Sequence, residues 1–191
     1  MRETLLHEIE AYSPFNEQEA VDKELILNAL KTESDLFLRS NLSHHMTVSA
    51  WVVSKRLDRV LMVYHKIYNS WSWLGGHADG NEDLLAVAIR EVQEESGLKN
   101  VIPLSRDIFS LEVLTVDGHE KRGKYVSSHL HLNVTYLLQA EDTEALHIKP
   151  DENSGVAWFS LDEALQKSTE PWFVERIYKK LNEKLANYIK K

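Results

Sequence analysis

Cysteine is absent from the 191-residue chain. That removes disulfides, thiolate zinc sites, iron–sulfur clusters and any cysteine nucleophile, and it suits a reducing compartment. Long apolar runs are missing as well. Stretches such as Leu84–Ile89 stop far short of the ~20 residues that a membrane span needs. The opening MRETLLHEIEAYSPF carries acids where an export signal needs an unbroken apolar region. Positive charge is in deficit: 22 Lys+Arg face 30 Asp+Glu, a formal net charge of −8. Binders of long nucleic acids or anionic membranes draw affinity from surplus Lys and Arg, so neither partner is expected. The expectation is a soluble, cytoplasmic protein without membrane contact.

With 43 % hydrophobic residues, the chain can build a packed core. Its length suits one domain with an elaboration. Residues 1–44 read as helical: Asn16 and Glu19 have capping-box spacing, and Ala20, Leu25, Ile26 and Leu30 recur at near-helical intervals. This N-terminal extension is expected to be a helical cap or a homodimer contact. From Met46 the texture turns to Val, Met, Trp and Tyr. Met46–Ser54 and Arg59–His65, joined by Lys55–Asp58, read as a hairpin. Asn81 is the expected cap of a helix over about Glu82–Glu95, stopped by Gly97. Strands follow at Ile108–Thr115, His129–Leu138 and Val156–Phe159. Ser160 with Glu163 is a second capping box, and Pro171 opens a last helix. Strands and helices alternate irregularly, which gives an α+β or mixed α/β class.

Within the acidic helix, Glu91, Glu94 and Glu95 are spaced i, i+3, i+4 and share one face, away from the apolar Leu85, Ile89 and Val92. Like charges so placed repel. A hard divalent cation would reverse the sign of that interaction; an ordinary solvated face is the alternative.

The longer pattern decides between them. Gly76, five residues, Glu82, seven residues, Arg90-Glu91, aliphatic Val92, one residue, Glu94-Glu95, one residue, Gly97 and Leu98 reproduce every fixed position of the Nudix box. The chain therefore resembles the Nudix hydrolases, over about residues 45–165, with 1–44 and a C-terminal helix in 166–191 outside the minimal domain. The resemblance implies a mixed sheet between helices. It also implies Mg²⁺- or Mn²⁺-dependent hydrolysis of a pyrophosphate bond in a nucleoside diphosphate linked to another moiety, such as a nucleoside triphosphate or nucleotide sugar. Glu91, Glu94 and Glu95 match the family's metal carboxylates, and the Gly76 carbonyl is a further expected ligand. Arg90 and Glu82 match a bracing pair. Glu91 is the first candidate for the base. The family's isoprenoid diphosphate isomerases rely on a cysteine that this chain lacks, and a silent nucleotide-binding module would normally carry a broken box.

Outside the box, Glu152 is expected to add a carboxylate from a loop, with a plain polar loop acid as the alternative. His77, expected at the mouth of the metal site, is a candidate substrate contact with a simple loop residue as its alternative. His129, His131 and Asn133 share one strand face, which reads equally as a wet cleft or an exposed surface. In a cleft, a histidine there binds phosphate or relays a proton. Arg122, in the basic loop HEKRGKYVSS, is a candidate phosphate clasp with a solvated hairpin as its alternative.

Overall fold

The computed structural model describes residues 1–67, 69–121 and 123–190. Arg122, a predicted substrate contact, lies outside them. Helices α1 (Arg2–Ala11) and α2 (Glu17–Thr32) come first. Four strands follow: β1 (His44–Ser54), β2 (Arg59–His65), β3 (Ser70–Ser72) and β4 (Leu74–His77). Helix α3 (Leu84–Ser96) leads to β5 (Val101–Pro103), β6 (Ser110–Val116), the hairpin β7 (His119–Lys121) and β8 (Lys124–Val126), and then β9 (His129–Ala140) and β10 (Asn153–Ser160). The chain ends in α4 (Leu161–Lys167), α5 (Pro171–Phe173), a π-helical turn over Val174–Tyr178, and α6 (Lys179–Ile189).

One mixed sheet runs in the order β10-β2-β1-β9-β5, with β3 on β2, β4 on β1 and β6 on β9. Its centre is a parallel pairing of β1 with β9, in register from His44 opposite Leu130 to Ser54 opposite Ala140. The β1–β2 and β1–β4 pairings are antiparallel. Side chains alternate along a strand, so the two faces of β1 meet different layers. Met46, Val48, Ala50 and Val52 pack with Leu84, Val87, Ala88 and Val92 of α3 and with Leu5, Ile9, Ile26 and Leu30 of α1 and α2. Trp51 and Val53, with Met62 and Leu137, meet Ile177, Tyr178, Leu181 and Leu185 on the opposite face. Tyr178 stacks on Trp51 at 5.5 Å between centroids. The expected sheet between helices is thus present, and α1 and α2 are part of its main core.

Most sequence readings hold. Asn16 caps α2 by accepting from the Glu19 N–H, Ser160 and Glu163 form a reciprocal capping box, and Gly97 ends α3 with φ of 75°. The start of α3 differs. Its cap is Asp83, which accepts from the Ala86 N–H, while Asn81, two residues earlier, accepts from the Asp83 N–H. Glu82 therefore precedes the helix. Strands β3 and β4 are too short, and β4 too glycine-rich, to announce themselves by periodicity.

Glu19 does not return its carboxylate to its own cap. Instead it accepts from the Phe15 N–H, the Tyr12 hydroxyl and Lys184, and pairs with Lys180 at 3.3 Å. Lys180 also pairs with Glu112 of β6 at 3.0 Å. Burial alone would raise the Glu19 pKa, but the two ammoniums and the hydrogen bonds from Lys184 and Tyr12 outweigh it and hold the pKa at about 2. Lys184 is pulled down by its own burial against the attraction of Glu19. Breaking one partner of a buried ion pair strands the others. Glu19→Gln is expected to destabilise the fold by about 3–5 kcal/mol, read as a lowered urea midpoint. The depressed pKa means that this stabilisation is present above the ordinary value of 4.5 and is lost as pH falls towards 2. An acid titration of unfolding should show that loss in the wild type and not in the variant.

Candidate active site

Helix α3 packs its apolar side on the sheet, and the adjoining flank that bears Glu91 and Glu95 meets β4 at the Gly75-Gly76 stretch. A Cβ on Gly75 would come 2.2 Å from the Val48 carbonyl, and one on Gly76 would come 2.5 Å from the carboxyl carbon of Glu91. Only glycine permits both approaches. The structure thus brings Gly76 against Glu91 as expected.

The three box carboxylates differ in environment. Glu95 is 4 % exposed and accepts from the Gly75 N–H at 3.1 Å. Burial, with smaller contributions from the charges of Glu91 and Glu152, pushes its pKa up to about 8 despite that hydrogen bond. Glu91 is half-buried and accepts from Arg90 at 2.8 Å. Glu94 is exposed and takes Lys149 at 3.1 Å and Arg90 at 3.6 Å. Lys149 also pairs with Glu152 at 3.1 Å, bringing that loop acid to the same edge. Arg90 and Lys149 thus sit between the carboxylates as cationic spacers. Lys149 was not foreseen; as one lysine in a loop ahead of β10, it gives no sequence signal.

Arg90 and Glu82 do not form the expected brace. Arg90 engages Glu91 and Glu94, whereas Glu82 accepts from the Arg2 N–H at 2.9 Å. The physical reason is the later helix start, which leaves Glu82 outside α3, within reach of the start of α1.

Asn133 differs too. It is 1 % exposed, and its hydrogen-bonding capacity is taken within the protein. Its carbonyl accepts from Thr47 at 3.0 Å and Ser49 at 3.1 Å; its amide donates to Glu112 at 3.0 Å and Thr135 at 3.2 Å. It presents nothing to a substrate in this arrangement. It belongs instead to a buried polar chain that runs on through Glu112 and Lys180 to Glu19.

His77, His129 and His131 do come together, joined by His45, which the sequence reading did not single out. Ring centroids are 4.9 Å apart for His77–His131, 5.0 Å for His129–His131 and 5.1 Å for His45–His131. Burial, with the neighbouring imidazoles, pulls His131 down to about 2; burial also lowers His45. This face of β4 and β9 is opposite to the one bearing Glu91, because successive side chains of a strand alternate.

No metal is part of the structure. The donor set at the α3–β4 edge nevertheless fits a hard divalent cation: carboxylates, a main-chain carbonyl on a glycine whose Cβ would clash, and a buried acid whose charge burial disfavours.

The family described as the NUDIX domain matches residues 43–181. A protein from Lactococcus lactis subsp. cremoris named a probable DHNTP pyrophosphohydrolase is 27 % identical over 146 residues, covering 76 % of this chain and 83 % of that one. The rat protein named bis(5'-nucleosyl)-tetraphosphatase (asymmetrical) is 28 % identical over 97 residues, covering 50 % of this chain and 59 % of that one. The structure of the E. coli dihydroneopterin triphosphate pyrophosphohydrolase superposes with a TM-score of 0.53 at 16 % identity, covering 74 % of this chain and 95 % of that one. That likeness shows the fold.

A raised carboxylic-acid pKa stabilises the fold below its ordinary value of 4.5, and the contribution is lost as pH rises towards 8. In chelator, the wild type should lose stability, on the order of a few kcal/mol, across that interval. Thermal melts of Glu95→Gln should show no such loss, and Mg²⁺ should restore the wild type at pH 8.

Proposed function

The chain belongs to the Nudix hydrolase family, and from that premise we propose that it cleaves a pyrophosphate bond in a small nucleotide-type polyphosphate, with Mg²⁺ or Mn²⁺ as cofactor. The observation that carries the proposal is the gathering of Glu91, Glu94, Glu95 and Glu152 around the edge of β4 at Gly76. These side chains and the Gly76 carbonyl would hold the cation. When bound, it would neutralise phosphate oxygens and lower the pKa of a water molecule.

The remaining tasks fall to this chain's own residues. Glu95 is oriented by the Gly75 N–H and Glu91 by Arg90, so two carboxylates are preset before substrate arrives. Glu91, in contact with the Gly76 edge, is the residue we assign to accept the proton of the attacking water. Lys149 offers its ammonium to Glu94 and Glu152. The same group suits a phosphate oxygen once those acids are otherwise engaged. The names of the Lactococcus and rat relatives favour a pterin or nucleoside polyphosphate over a nucleotide sugar.

The expected result of a screen over nucleoside triphosphates, dihydroneopterin triphosphate, a dinucleoside tetraphosphate, ADP-ribose and nucleotide sugars is metal-dependent cleavage of a polyphosphate. Binding of those ligands without turnover would point to a silent nucleotide-binding module instead. Glu94→Gln should lower kcat/KM on the order of 100-fold or more with an unchanged melting temperature, because Glu94 is exposed. Near-normal turnover of that variant would contradict the assignment of Glu94.

A further inference from the structure

We propose that His45, His77 and His131 form a second metal site, specific for a zinc-type first-row transition cation and separate from the carboxylate edge. One ring nitrogen of each lies within 4.8 Å of the others, the one group of three potential ligand residues so gathered among the described residues. All three rings project from one face of the sheet. The β1–β9 register sets His45 beside His131, and the β1–β4 register sets His77 opposite Thr47, one pleat along the same face.

Two of the imidazoles here, those of His45 and His129, are oriented by backbone carbonyls. His45 Nδ1 donates to the Asn41 carbonyl at 3.0 Å, which leaves Nε2 with a lone pair. That Nε2 is buried and has no hydrogen-bond partner. A buried acceptor without a donor is costly, whereas a backbone carbonyl behind a histidine is the arrangement that fixes a metal-binding ring. His129 repeats it: Nδ1 donates to the Ser127 carbonyl at 2.8 Å, and Nε2 lies 3.2 Å from Nε2 of His131. Two imidazoles on one tetrahedral zinc place their nitrogens about 3.3 Å apart. His129 therefore adjoins the group of three, and a water molecule would complete a tetrahedral set.

The charges nearby do not oppose a cation. Arg39 faces the cluster but is bidentate on Asp79, whose carboxylate offsets it. An all-imidazole set favours zinc, nickel or copper over Mg²⁺, which prefers oxygen. The carboxylates of α3 lie on the other face, since Gly76 approaches Glu91 while the next side chain, His77, projects the opposite way. The two sites thus differ in donor type and in side of the sheet.

Co²⁺ is a visible probe. The 191-residue chain, stripped with chelator and held in a large excess of Mg²⁺, is expected to take up one equivalent of Co²⁺ with the strong absorption of a four-coordinate site. Zn²⁺ should displace it and raise the melting temperature. His131→Asn and His77→Gln should each abolish the absorption, while Glu94→Gln should leave it intact. His77 is only half-buried, so its variant keeps the test valid if His131→Asn fails to fold. Absence of a four-coordinate spectrum in the wild type, its loss in Glu94→Gln, or its survival in His77→Gln would each overturn the proposal. A hydrolase inactive on every substrate would leave this result unaffected.

Discussion

The pairing of β1 with β9 is the constraint on which the rest of the molecule hangs. It is parallel and runs the length of β1, eleven residues, with each residue matched to one partner. A slip by one residue would exchange the two faces of the sheet. Met46 and Val48 would leave the core under α3, and Thr47 would leave Asn133. Because β4 pairs with the other edge of β1, the same register also fixes where Gly76 meets Glu91 and where His77 meets its neighbours.

Along the face away from α3, the character of the side chains changes in steps. Under α6 it is aromatic and aliphatic, at Trp51, Val53 and Leu137. Then come Ser49, Thr47, Asn133, Thr135 and Glu112, hydrogen-bonded to one another. Beyond them are the histidines. The fold treats its buried acids in two ways. Glu19 and Glu112 share lysines from α6, and Glu19 stays ionised to about pH 2. Glu95 is raised to about 8 mainly by burial, with Glu91 and Glu152 adding to it and the Gly75 N–H and Lys149 opposing it. One arrangement fastens the chain, and the other leaves a carboxylate whose charge state responds to its surroundings.

The parts legible in the sequence were those encoded locally. The box spacing, the cap at Asn16, the capping box at Ser160 and the stop at Gly97 each depend on residues within a turn or two. So did β2, whose unbroken apolar run Val60–Tyr64 lies within Arg59–His65. What escaped was set by distance in the chain. His45 reads as the frayed start of a strand until its partners arrive from β4 and β9. Lys149 is an unremarkable loop residue until the loop folds over Glu94. Asn133 read equally as a cleft or a surface residue because its pattern says only that it shares a face with two histidines; Glu112 and Thr47, from other strands, decide that it is enclosed. Glu82 was misjudged for a local reason: two candidate caps, Asn81 and Asp83, lie two residues apart, and the second one wins.

The ion pair between Glu19 and Lys184 joins residues 165 positions apart. On a ribosome, α2 can coil as soon as it emerges, yet its acid waits for a lysine 165 positions downstream. Until then the polar side of the sheet stands open, since α6 both covers Trp51 and delivers the cations. The order of assembly is therefore built into the chain: the α3 layer can form around β1, β2 and β4 early, whereas β9, β6 and finally α6 must come from far downstream. Helix α6 acts as a latch, and a chain that stops short of it is left with an uncompensated charge where its interior should close.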